Sequence, residues 1–91
     1  MDFTAVDLRV GTVVEAAAQG DALRLVIDVG GARRRAVSRI TENYGPEDLV
    51  GTQVVVVASG AEAVVLAAVS PSDGAVVLRP DRPVADGTQV V

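Results

Sequence analysis

Thr41-Glu42-Asn43-Tyr44-Gly45-Pro46-Glu47-Asp48-Leu49-Val50-Gly51, residues 41–51, is the stretch on which the fold turns. Strand-like alternation runs up to it, stops inside it and resumes beyond it. Pro46 followed by Glu47, Asp48 and Leu49 suits one helical turn: proline lacks an N–H that a first helical residue leaves unpaired anyway, and carboxylates favour the positive end of the helix dipole. Before it, Asp7 to Ala16 reads as a strand with Leu8, Val10, Val14 and Ala16 on one face and Asp7, Arg9 and Glu15 on the other. Gly20-Asp21 marks a turn, after which Leu23, Leu25, Ile27 and Val29 alternate with Arg24, Val26 and Asp28. Gly30-Gly31 supplies a tight hairpin, because glycine takes positive φ without a steric cost, and Ala32 to Ile40 follows as a third strand.

Beyond the helical turn, Gln53 to Ala58 is a Val-rich run too short for a typical helix, as expected of a strand buried on both faces. Ala63 to Val69 reads as a fifth strand, and Ser70-Pro71-Ser72-Asp73-Gly74 turns the chain into Ala75 to Arg79. The remainder, with Pro80, Pro83 and an Asp86-Gly87 turn, is expected to lie extended until Val90 and Val91 dock. Three meandering strands, a short helix and two further strands is the order of an OB-fold, an all-β, five-stranded Greek-key barrel, here read as one domain over residues 1–91. An SH3-like barrel is the rival. The helix between strands three and four favours the OB-fold, where it plugs the open end.

Composition agrees with an all-β core. Hydrophobic residues form 49% of the chain, yet Phe3 and Tyr44 are the only aromatics, so Val, Leu, Ile and Ala must fill the interior. Valine alone is roughly a fifth of the residues, which favours pleated strands because its branched side chain stiffens χ1. With no cysteine there is no disulfide, thiolate nucleophile or sulfur-held metal, and the cytoplasm is the expected compartment. No apolar run approaches the length of a membrane span, and Met1-Asp2-Phe3-Thr4 lacks the basic region and apolar core of a signal peptide, so no membrane role is expected.

Catalysis is excluded by inventory. Without histidine, cysteine or lysine, Ser38, Ser59, Ser70 and Ser72 lack an activating base. Glu42, Glu47 and Asp48 form no oxygen-cage motif, and Gly30-Gly31 and Gly60 form no phosphate-cradling motif, so neither a metal nor a cofactor is expected. The net charge of −4 argues against avid non-specific nucleic-acid binding. The eight cations are all arginine, however, and four of them fall between Arg33 and Arg39.

The residues resemble the EMAP-II-like tRNA-binding domain family that accompanies methionyl- and other aminoacyl-tRNA synthetases. Asp7-Leu8-Arg9-Val10-Gly11-Thr12-Val13-Val14-Glu15 is similar to its opening strand. Asp28-Val29-Gly30-Gly31 and Ala36-Val37-Ser38 with Ile40 resemble its second hairpin and third strand, and Tyr44 with Pro46 to Gly51 resembles its helix. Val54 to Ala58, Leu78 to Val84 and Gly87-Thr88-Gln89-Val90 also fit. Two loops depart from the family pattern. Ala17-Ala18-Gln19-Gly20-Asp21 stands in place of a longer His-Pro-Asn-Ala-Asp type stretch, and Ser59-Gly60-Ala61-Glu62 leads almost directly into strand five. These loops flank the oligonucleotide face of an OB-fold, so both departures fall on the expected RNA surface.

The resemblance implies binding of tRNA or another structured RNA, with an aminoacyl-tRNA synthetase as a possible partner. Arg33, Arg35 and Arg39, with Arg34, Arg24 and Ser38 beside them, are the candidate RNA contacts, and Arg39 stands where the family commonly has glycine. Alternation puts Arg33, Arg35 and Arg39 on one face and Arg34 on the other. Guanidiniums grip phosphates bidentately; the competing reading is a solvated strand face paired with Asp28, Glu15 or Asp7. Base stacking is not expected, because it relies on aromatic platforms. Free-standing family members, including the CsaA-type export chaperones, pair through their termini. That implies a homodimer contact through Phe3, Val6, Val84, Val90 and Val91, and an assembly module with reduced RNA affinity is the second function reading. A third is that the short loops mark an engineered or minimised barrel.

Overall fold

The computed structural model describes residues 6–91. Its elements are β1 (Leu8–Gln19), β2 (Ala22–Asp28), β3 (Arg33–Ser38), α1 (Pro46–Leu49), β4 (Gln53–Val57), β5 (Val64–Val65), β6 (Ala67–Ser70) and β7 (Gly74–Val77). The first five strands form one antiparallel sheet in the order β3-β2-β1-β4-β5, and β6 and β7 form a separate hairpin. The sheet curls until its two edge strands meet, where Ala63 N–H donates to the Arg35 carbonyl at 2.8 Å. The result is the expected all-β half-barrel of the OB type with one short helix.

Both hairpins of the meander form where glycines permit them. Gln19 pairs with Ala22 around Gly20-Asp21, and Val29 N–H donates to the Ala32 carbonyl at 2.9 Å around Gly30-Gly31. Gly30 is required twice over: its φ is +87°, and a Cβ there would lie 2.5 Å from the Asp86 carbonyl oxygen. The helical turn starts at Pro46, with Asp48 N–H donating to the Gly45 carbonyl at 3.1 Å and the Asp48 carboxylate accepting from Gly45 N–H at 2.8 Å. Its Leu49 is fully buried in the core beside Val13, Leu25, Ile27, Val54 and Val56. Removing a side chain of that size from water contributes about 2 kcal/mol, so the helix holds its place as the plug of the barrel.

Three expectations need correction. First, β1 does not alternate evenly: its register pairs Val13 with Ile27 and Glu15 with Val26. Val14 is therefore an extra residue, a β-bulge that reverses the phase of the strand, and Val13 rather than Val14 lies in the core. Second, the fifth strand expected over 63–69 breaks at Leu66. Leu66 N–H donates to the Val55 carbonyl of β4 while its own carbonyl accepts from Leu78 N–H, so the chain changes partner at this one residue and β6 turns away to pair with β7. Third, Val90 docks, with its N–H donating to the Leu8 carbonyl at 2.9 Å, but Val91 is 95% exposed.

Side chains before the helix fasten the β6–β7 hairpin. Asn43 Nδ2 donates to the carbonyls of Asp73 at 2.7 Å and Ala75 at 2.8 Å, and the Tyr44 hydroxyl accepts from Val77 N–H at 3.1 Å. Tyr44 is thus a packing residue at the margin of the core.

Candidate nucleic-acid interface

The β2–β3 register decides which arginines face solvent. Leu23, Leu25 and Ile27 of β2 point into the core, as does Ala36 of β3. Arg24, Val26 and Asp28 therefore line the outer face, opposite Val37, Arg35 and Arg33 in that order. Glu15 extends the middle row and Ala17 the row of Arg24, because they pair with Val26 and Arg24. A groove of about 610 Å³ opens on this face, lined by Glu15, Ala17, Arg24, Val26, Arg35 and, from the residue after α1, Val50. Its floor is aliphatic, and two guanidiniums and one carboxylate face into it.

The arginines do not line the concave face of the sheet, where an RNA groove was expected: Val13, Leu25, Ile27, Ala36 and Leu49 fill it. The groove that Arg24 and Arg35 line is on the outer surface of the sheet. The arginines there form no salt bridge among the described residues. Among the described residues the two salt bridges are Arg9 with Asp7 at 2.6 Å and Arg82 with Asp81 at 3.6 Å. Asp28, opposite Arg33, instead accepts from Gly30 N–H at 2.9 Å.

The candidate contacts separate by location. Arg24 and Arg35 line the groove, and Arg33 is exposed in the adjoining row. Arg34 faces the other way: its Nη1 donates to the Ala58 carbonyl at 2.7 Å and its Nη2 to the Gly60 carbonyl, which ties β3 to the connection between β4 and β5. Ser38 pairs with Leu23 on the inner side of the sheet, and Arg39 is exposed just beyond the end of β3. Ala17 and Val50 were not singled out from the sequence, and Glu15 only as a salt-bridge partner of the arginines in the competing reading. Only their position beside Arg24 and Arg35 in the fold marks them.

Of the residues expected at a homodimer contact, Phe3 lies outside the described residues. Val6 and Val90 are half-buried, and Val84 is 37% exposed. Val84 is held by both ends of the Gln53 amide, Nε2 donating to its carbonyl at 2.6 Å and Oε1 accepting from its N–H at 3.1 Å. Among the described residues no helix is long and apolar enough to cross a membrane.

Comparison with known proteins agrees with the fold. The profile of the family described as "Putative tRNA binding domain" matches residues 8–89. A methionine-tRNA ligase of Methanothrix thermoacetophila is 44% identical over 93% of this chain, which spans 14% of that relative's own length. One of Archaeoglobus fulgidus is 37% identical over 98% of the chain, again spanning only 15% of the relative. Among solved structures, the chaperone CsaA of Bacillus anthracis str. Ames superimposes with a TM-score of 0.92 at 34% identity, covering 99% of this chain and 94% of that one. Fold, order of segments and matched span agree, and the chain belongs to the tRNA-binding domain family of the methionyl-tRNA synthetase and CsaA type.

Proposed function

We propose that this chain is a non-catalytic module that binds tRNA, or another structured RNA, on the outer face of β2 and β3, as an accessory to an aminoacyl-tRNA synthetase in the cytoplasm. The observation that carries the reading is the set of arginines 24, 33 and 35 on one face, none of them in a salt bridge among the described residues. Guanidiniums left to water exchange it for phosphate oxygens with little loss and release the counterions of the polyanion. Among the described residues no aromatic side chain lines the groove, so recognition is by backbone and shape, with weak sequence preference. Fluorescence anisotropy with bulk tRNA at low salt tests it. Binding that weakens on replacing Arg24, Arg33 and Arg35 is expected; no binding up to high micromolar protein, or binding indifferent to those replacements, rejects it.

The likeness to a chaperone CsaA supports a second reading, a homodimeric assembly module that contacts its copy through Val6, Val84, Val90 and Val91. Light scattering separates the two, since a strictly monomeric chain with tight tRNA binding rules the assembly reading out.

A further inference from the structure

A second groove, of about 400 Å³, lies beside the first and is lined by Thr12, Gly51, Gln53, Arg79 and Arg82 among others. Consecutive residues separate the two: Val50 faces the first groove and Gly51 the second. β1 likewise supplies Glu15 to one and Thr12 to the other. In an even strand, residues three apart point to opposite faces. The bulge at Val14 cancels that reversal, because Thr12 pairs with Asp28 and Glu15 with Val26, and Asp28 and Val26 share the outer face of β2. Both grooves therefore open on one surface. Because Asp28 and Val26 are two residues apart, Thr12 and Glu15 are separated by about 7 Å along the sheet at about 3.3 Å per strand residue.

The second groove carries the guanidiniums of Arg79 and Arg82 beside the carboxylate of Asp81, and it is firmly mounted. Pro80 and Pro83 bracket Asp81 and Arg82 and restrict the backbone there. Just downstream the segment is fastened by the Gln53 amide on Val84 and by Thr12 Oγ1, which donates to the Asp86 carboxylate at 2.6 Å. Gln53 Nε2 donates to the same carboxylate oxygen at 3.2 Å, so Asp86 is engaged by the fold rather than offered to the groove. Arg79 makes no salt bridge or side-chain hydrogen bond among the described residues. Arg82 pairs with its neighbour Asp81 at 3.6 Å, with both side chains more than four-fifths exposed, a contact that adds little and that a phosphate can displace.

We propose that the two grooves are one track: a single RNA strand crosses the Val50–Gly51 ridge with phosphates held by Arg24 and Arg35 on one side and by Arg79 and Arg82 on the other. This rests on the RNA-binding reading above and extends it to a surface that reading does not use. The test is anisotropy with bulk tRNA across a salt series, for the parent chain, Arg24→Ala/Arg35→Ala and Arg79→Ala/Arg82→Ala. An RNA trimer and a longer single strand of about ten nucleotides, within the usual OB-fold site size, serve as added probes. Each double variant is expected to lower the log–log salt slope by about 1.4, at about 0.7 per phosphate contact on a single strand. Arg79→Ala/Arg82→Ala should weaken the longer strand and tRNA about tenfold and leave the trimer unchanged. Arg79→Lys/Arg82→Lys should restore the slope. If the parent binds tRNA, Arg24→Ala/Arg35→Ala loses slope and Arg79→Ala/Arg82→Ala keeps both affinity and slope, the track is overturned while the function reading stands. If the parent does not bind tRNA, both fall. A thermal melt confirms folding, and Arg79→Gln/Arg82→Gln serves as the second variant should the alanine form melt early.

Discussion

The two faces of β3 put the same side chain to opposite uses. Arg34 turns inward at the barrel seam and donates to two backbone carbonyls of the connection that follows β4. Arg33 and Arg35, its immediate neighbours, turn outward with no salt bridge among the described residues. Guanidinium chemistry is the same in all three; what differs is whether the fold already supplies the oxygen. Where it does, the charge closes a barrel, and where it does not, the charge remains available to an external anion. A cluster of arginines in a sequence is therefore not one feature, and strand parity divides it.

The strongest test of this division is Arg34→Ala. Hydrogen bonds from a charged donor contribute about 1.5–3 kcal/mol each at most, and these are partly exposed, so a loss of about 2 kcal/mol is expected. Urea unfolding reads it directly; a stability equal to that of the parent would erase the distinction between the faces. Next comes Arg24→Ala/Arg35→Ala, whose stability should stay within about 0.5 kcal/mol of the parent while tRNA affinity falls about tenfold at moderate salt. A melting temperature that drops with the affinity would make the outer arginines structural too.

Glu15→Gln sharpens the picture on a smaller scale. It removes the one carboxylate that faces the first groove among the described residues, and a unit charge several ångströms from a phosphate in a water-like dielectric amounts to about 0.5 kcal/mol. Titration should show affinity for tRNA rising about twofold, and a loss would mean that Glu15 itself makes a favourable contact. The smallest expected effect is none. The chain has no histidine, the side chain that ordinarily titrates near neutrality, so the affinity measured from about pH 6 to 8 should be flat, and a steep dependence would point to groups other than the outer arginines.

Much of this arrangement could be read from the residues alone. Pro46 after a break in alternation located the helix, the glycine pairs located the hairpins, and parity along β3 separated Arg34 from Arg33 and Arg35. The bulge could not be read, because Val10, Val13, Val14 and Ala16 are all apolar and either phase of β1 presents a plausible inner face. The partner change at Leu66 was hidden for the same reason, since Val64 to Val69 contains no polar residue to mark a face. The groove needed three dimensions. Val50 follows the helix and Arg24 and Arg35 lie on separate strands, so their meeting depends on how far the sheet curls. Arg39 fits the parity of its strand yet stands past the last β3 residue, Ser38, where parity no longer governs direction.

The hydrogen bond from Val90 N–H to the Leu8 carbonyl has an architectural consequence. Leu8, near the first of the described residues, and Val90, near the last, therefore sit side by side at β1. Closely spaced ends of this kind are what makes domains tolerant of insertion and permutation.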